Sequence, residues 1–164
     1  MKYFITILIL ACCLQASFDT TAQTIMKKKP LVGIFDGRTP NTTLSALLKV
    51  KSPPDRIKVK WRMALYKDAV TGKPDGYQIW YTYDRSHPRE GQWHILKGTK
   101  ANPEAVVYRL DAADEPSLYL QKMDDNVLFF IDADGNLLVG NRDFSYALNR
   151  VTKKDEQRLM ATAQ

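Results

Sequence analysis

The stretch at 57–65, IKVKWRMAL, sets Ile57, Val59, Trp61, Met63 and Leu65 on one side of an extended chain and Lys58, Lys60 and Arg62 on the other. A strict two-residue period fits a strand with one buried and one wet face, and a helix cannot satisfy it. The same period recurs down the chain. In GYQIWYTYDR, Tyr77, Ile79, Tyr81 and Tyr83 share a face and Gln78, Trp80 and Thr82 share the other. QWHILKG, AVVYRLDA, SLYLQKM, NVLFFID, LLVGN and FSYALNRV follow at short spacing.

Breakers separate these runs. Pro53-Pro54-Asp55 precedes the first, the loop Thr71 to Gly76 follows it, and Ser86 to Gly91 reads as a turn. Asp134-Gly135-Asn136 has the residues of a hairpin turn, since Gly and Asn tolerate positive φ. GIFDGRTPNTTLSALLKV, at 33–50, reads as a strand entering a tight loop over Arg38, Thr39, Pro40, Asn41, Thr42 and Thr43. Before residue 150 only Thr43 to Lys51 has any helical character, and the tail from Lys153 reads as a frayed helix or disorder. About eight to ten strands at this spacing predict an all-β fold. Short connections favour an up-and-down meander, and closing it into a small barrel removes the exposed edges. Such an interior is either filled by side chains or holds one small ligand.

The predicted organisation is a signal peptide at 1–22, a tail at 23–30, the barrel at 31–151 and a second tail at 152–164. Tyr3 to Leu14 is an apolar run behind Lys2, too short to span a bilayer, and Thr20-Thr21-Ala22 supplies small residues for cleavage. In the alternative reading, Ile9-Leu10-Ala11 is a loose lipobox and Cys12 becomes a lipidated N-terminus. Export to the periplasm or medium follows from the first, and an outer-membrane lipid anchor through Cys12 from the second. The only cysteines are Cys12 and Cys13, so the barrel itself carries no disulfide or thiolate chemistry. The net charge is +6. Lys27-Lys28-Lys29 and the group Arg150, Lys153, Lys154 and Arg158 concentrate part of it near the ends, where solvated flanks are the simplest account. An exported chain without a binding motif gives no reason to expect nucleic acid.

Chemistry is sparse. Asp132-Ala133-Asp134-Gly135-Asn136 starts like a calcium loop, but Gly falls at the fourth position instead of the sixth, and Asp143 replaces the bidentate Glu at the twelfth. His87, in a turn, and His94, on a strand, make a thin metal site even if a hairpin brings them together and methionines assist. No nucleophile elbow surrounds a serine, and Asp111, Asp114 and Glu115 read as a solvated turn. Neither an enzyme nor a cofactor is expected. Tyr77, Tyr81, Tyr83, Trp93, Tyr108, Tyr119 and one of Phe129 and Phe130 are expected to face inward. Alternation turns Trp80 the other way, as a candidate contact residue.

VGIFDGRTP, the Gly91-Gln92-Trp93 strand, YRL and FFIDADGNLL together resemble the N-terminal domain of NlpE-type copper-resistance and envelope-stress lipoproteins, over about Leu31 to Val139. The resemblance implies a lipocalin-like barrel and a non-enzymatic binding or stress-sensing role. It implies a Cys-x-x-Cys after the opening Thr-Pro, yet Asn41 and Leu44 occupy those two positions. Asparagine and leucine can neither hold a soft metal nor form a disulfide. The candidate contact set is therefore Arg38 to Thr43 with Trp80, facing an envelope protein, a lipid or a small apolar ligand. The alternative is copper handling through His87, His94 and methionines.

Overall fold

Alternating apolar and charged side chains produce eight strands, and a computed structural model describes them over residues 29–48, 53, 55–82 and 84–162. They are β1 (Leu31–Pro40), β2 (Lys58–Lys67), β3 (Pro74–Tyr81), β4 (Asp84–Lys97), β5 (Val106–Ala112), β6 (Glu115–Lys122), β7 (Val127–Ile131) and β8 (Ala147–Arg150). Each pairs antiparallel with the next, and β8 returns to β1, closing an up-and-down barrel. Among the described residues two helices accompany it, α1 (Thr43–Leu47) between β1 and β2, and α2 (Lys153–Thr162) after β8. The barrel expected from the sequence is thus present, and the tail that read as a frayed helix or disorder is helical to Thr162.

The inward residues of successive strands meet in one core. Phe35, Val59, Trp61, Met63, Leu65, Tyr77, Ile79, Trp93, Tyr108, Leu110, Leu118, Leu120, Leu128, Phe130 and Leu148 are all buried there. Trp61 sits between Tyr81 and Phe130, with ring centroids 4.9 and 5.4 Å away. Charged and polar residues such as Asp36, Lys60, Arg62, Gln78 and Glu90 take the outward positions between them. This is the reverse of a barrel whose outer wall faces lipid. A second, smaller apolar group lies outside, where Ile34, Ala64 and Tyr66 pack with Leu31, Trp80 and Val151.

Four local expectations are corrected. Tyr119, expected inward, is on the outer face of β6, because its neighbours Leu118 and Leu120 take the core positions. Ser86 to Gly91 is not a turn but lies within β4. Tyr81, the last residue of β3, already pairs with Asp84, the first of β4. Between the pairs Tyr81–Asp84 and Ile79–Arg89 the register slips, and Pro88 falls in that irregular stretch, where no ladder needs its missing N–H. LLVGN forms no strand. Leu137 makes a single bridge to Ile131 and Val139 is 89% exposed, because β8 takes the β7 edge from Val127 to Phe129. Finally, the strand predicted to end near Arg38 continues to Pro40, which pairs with Lys58.

Closure rests on Phe35, Asp36 and Gly37 facing Arg150, Asn149 and Leu148. A Cβ at Gly37 would strike the Ala147 carbonyl oxygen and the Leu148 side chain. Gly37→Ala is therefore expected to destabilise the barrel by about 1–3 kcal/mol, as overpacking does elsewhere. Urea denaturation followed by tryptophan fluorescence checks this, and an unchanged midpoint would show that the seam can yield.

Candidate functional site

The segment expected to be an exposed contact loop is largely built into one end of the barrel. Thr39 is fully buried, where its Oγ1 accepts the Trp61 Nε1–H at 2.8 Å and donates to the Pro40 carbonyl at 3.2 Å. Pro40 is buried as well. Asn41 ties the chain to the approach of β2, its backbone N–H donating to the Ile57 carbonyl (3.2 Å) and its Nδ2 to the Arg56 carbonyl (2.9 Å). The Thr42 hydroxyl lies 2.9 Å from that of Tyr146. Thr43 begins α1, and Leu44 on that helix drops into the core at 2% exposure, with Leu48 packed alongside. Of the residues from Arg38 to Thr42, Arg38 and Thr42 are exposed, Asn41 is half-buried, and Thr39 and Pro40 are buried. Asn41 and Leu44, standing where the resemblance implies cysteines, serve as a polar tie and an apolar stopper.

Trp80 does point away from Tyr77, Ile79 and Tyr81, but it is half-buried against Ile34, Ala64 and Tyr66. It is a packing residue of the outer wall more than a free contact. Cys12, Cys13 and Met26 lie outside the described residues.

The two histidines do not face each other across a hairpin. Both lie on β4, seven positions apart, which is roughly 20 Å along a strand. Met63 is fully buried in the core while Met123 is half exposed at the end of β6. Among the described residues no group of three or more His, Cys, Asp or Glu is placed to share a metal. His94 instead meets Asp111, Nε2 to Oδ2 3.4 Å, on the outer wall. The same carboxylate accepts from Ser117 Oγ at 2.6 Å and from Arg109 Nε at 2.9 Å. Burial by itself would raise the Asp111 carboxyl, but Ser117, Arg109 and His94 outweigh it and hold it below the ordinary range. The carboxylate lies between the serine and the imidazole, so it does not orient a base toward that hydroxyl.

The Asp132–Asn136 turn also spends its carboxylate internally. Asp132 Oδ1 accepts the backbone N–H groups of Asp134 and Asn136, both at 2.9 Å, and Oδ2 accepts from Asn136 Nδ2 at 3.0 Å. Gly135 provides the positive φ of 86°. The hydrogen bonds from Asn136 lower the Asp132 carboxyl, an effect of the turn itself.

One constellation escaped the sequence reading because its cation sat in a supposed turn. Arg89 of β4 has a side chain only 3% exposed, beneath the β5–β6 hairpin. Its Nε donates to the Tyr77 hydroxyl at 3.0 Å and its Nη2 to the Pro116 carbonyl at 2.6 Å. Nη1 is 2.8 Å from Glu115 Oε2, yet the approach is too oblique for a hydrogen bond. The Tyr81 hydroxyl, also buried, makes no well-aligned hydrogen bond, although Arg89 lies close enough to act on it. Only the alternation Ile79, Tyr81 and the pairing of Ile79 with Arg89 bring these groups to one place, and Pro88 and Gly91 hid the strand that carries the arginine.

No family model, no curated protein and no solved structure matches the chain. The geometry stands alone as the guide to function.

Burial pushes the Tyr81 hydroxyl well above its ordinary pKa of 10.0 and outweighs the opposing pull of Arg89, and Tyr77 shifts in the same direction. The folded state therefore holds these protons longer than the unfolded chain. That stability is fully present below about pH 10 and is lost as pH rises above it, because the unfolded state then binds fewer protons. Thermal unfolding by circular dichroism between about pH 9 and 11.5 is expected to show a falling midpoint, with a shallower fall in Tyr81→Phe. Identical slopes in the two proteins would remove Tyr81 as the source.

Proposed function

We propose that the chain is an exported, non-enzymatic binding or stress-sensing module of the cell envelope, similar to the N-terminal domain of NlpE-type lipoproteins. In this reading it meets an envelope protein at its outer surface and does not enclose a lipid. The observation that carries it is the packed interior. Trp61, Met63, Tyr77, Leu120 and Phe130 occupy the space a carrier barrel would leave for its cargo, and Leu44 of α1 packs onto them from one end. Ser117, Asp111 and His94 add support, because their order gives the serine no base. A tether through Cys12 suits a sensing role, since it would fix the domain at one membrane surface. Sensing here runs without the thiol pair, as Asn41 and Leu44 take its two positions.

Two measurements bear on this. A fluorescent apolar reporter such as N-phenylnaphthylamine, titrated while energy transfer from tryptophan is followed, is expected to show no saturable uptake. One-to-one uptake abolished by Leu120→Trp would replace the proposal with a lipid carrier. A photo-crosslinking residue at Arg38, on the exposed part of the barrel end, is expected to give one discrete protein adduct in the native envelope. The same residue at Val70, 92% exposed in the β2–β3 loop, is the control. Equal labelling from both positions would remove this end of the barrel as the contact surface.

A further inference from the structure

Arg89 is a buried cation whose partners are unequal. Tyr77 and the Pro116 carbonyl hold two of its nitrogens in good geometry, while Glu115 reaches the third obliquely. The Glu115 side chain is 46% exposed against 3% for Arg89. The anionic half of the pair can therefore leave for water, and the cationic half cannot. An arginine fork left without its anion in such a place is strongly unfavourable, so whatever displaces Glu115 must itself be an anion. Tyr81 adds a buried hydroxyl without a well-aligned hydrogen bond, close to Arg89 and within electrostatic reach of Glu115 and Tyr77. Buried donors in native proteins nearly always make well-aligned hydrogen bonds, and here two that do not belong to one cluster.

We propose that this cluster is a binding site for a small carboxylate, which takes the place of the Glu115 side chain against Arg89 Nη1 and receives the Tyr81 hydroxyl proton in a hydrogen bond. Glu115 is then an internal stand-in for the ligand and holds the site closed in its absence. The ligand class follows from the charge and shape of what it replaces. A monocarboxylate restores one negative charge and offers two planar oxygens to the guanidinium fork. A phosphate dianion would bring a second, uncompensated charge beneath the hairpin, and chloride has no second atom to satisfy Tyr81. The inference is independent of the identity of the envelope partner.

Formate and acetate are the probes, at matched ionic strength with chloride and phosphate as controls. Binding is read from the Arg89 Nε–Hε resonance in nitrogen-15 spectra and from the thermal midpoint. In the unaltered chain, formate is expected to shift the Arg89 resonance weakly, since Glu115 competes. Glu115→Gln removes the competing charge and is expected to tighten formate binding by about tenfold or more, with formate but not chloride raising the lowered midpoint. If that variant does not fold, Glu115→Asp, which keeps the charge but holds it one methylene further from Nη1, is expected to tighten formate binding by a smaller factor. Tyr81→Phe on the Glu115→Gln background is expected to weaken binding about threefold to tenfold, as loss of one neutral hydrogen bond does. An Arg89 resonance that does not respond, equal affinity with and without Glu115, or chloride acting as well as formate would each overturn the proposal. Failure here leaves the surface-binding reading intact, because that reading is tested at Arg38 and by reporter uptake.

Discussion

The barrel depends on how β1 is divided between its two neighbours. Its whole length, Leu31 to Pro40, runs beside β2, while β8 reaches only Phe35 to Gly37. The edge from Val32 to Ile34 would be open if nothing else covered it, and an open edge invites pairing with another chain. Side chains complete what the short strand leaves. Arg150, at the end of β8, donates through Nη2 to the Val32 carbonyl at 2.6 Å and lies over the Phe35 ring. Glu156, one turn into α2, accepts the Ile34 N–H at 3.2 Å and stands 3.4 Å from Arg150 Nε. The Val151 N–H donates to the Ile34 carbonyl at 2.9 Å. The C-terminal helix is in this sense part of the sheet, supplying by one carboxylate a partner that a longer β8 would have supplied by backbone.

Inside the closed wall, polar atoms are few and mostly matched. Trp61 donates to Thr39, and Trp93 donates to the Tyr66 carbonyl at 2.6 Å while its ring meets Tyr108 edge-on at 4.9 Å. Gly91, two residues before Trp93, runs against the Asp111 carbonyl so closely that a Cβ would collide with it. The small residue and the indole of that Gly-x-Trp strand therefore serve two sides of one close strand contact. Against this background the Arg89 cluster stands out. It carries charge into an apolar barrel, and its anion sits on the rim.

Much of the fold was legible because it repeats locally. Period-two patterning marked β2, β3, β5, β6 and β7, and the residues around Gly135 marked a turn that Asp132 does stabilise. The failures have physical causes. Pro88 and Gly91 read as turn residues, but a register slip in β4 accommodates the proline and close packing against Asp111 requires the glycine. Leu137 to Asn141 has strand-like composition, but β8 takes β7 from Val127 to Phe129 and leaves it only the Leu137–Ile131 bridge and the Leu138 N–H on the Phe130 carbonyl. Thr39 to Thr42 looked like a polar loop because polarity along a chain does not reveal that Trp61, twenty-two residues on, needs an acceptor at Thr39.

The sequence by itself determined an all-β chain, the inward and outward faces of most strands, and the absence of thiol chemistry beyond Cys13. Each of these follows from residue type and spacing, properties that neighbours along the chain already express. Tertiary structure alone decided that Leu44 enters the core, that Glu156 completes the β1 edge, and that Arg89 meets Tyr77 and Glu115 beneath a hairpin. Those contacts join residues far apart in the chain, and only closure of the barrel sets the register and curvature that bring them within reach.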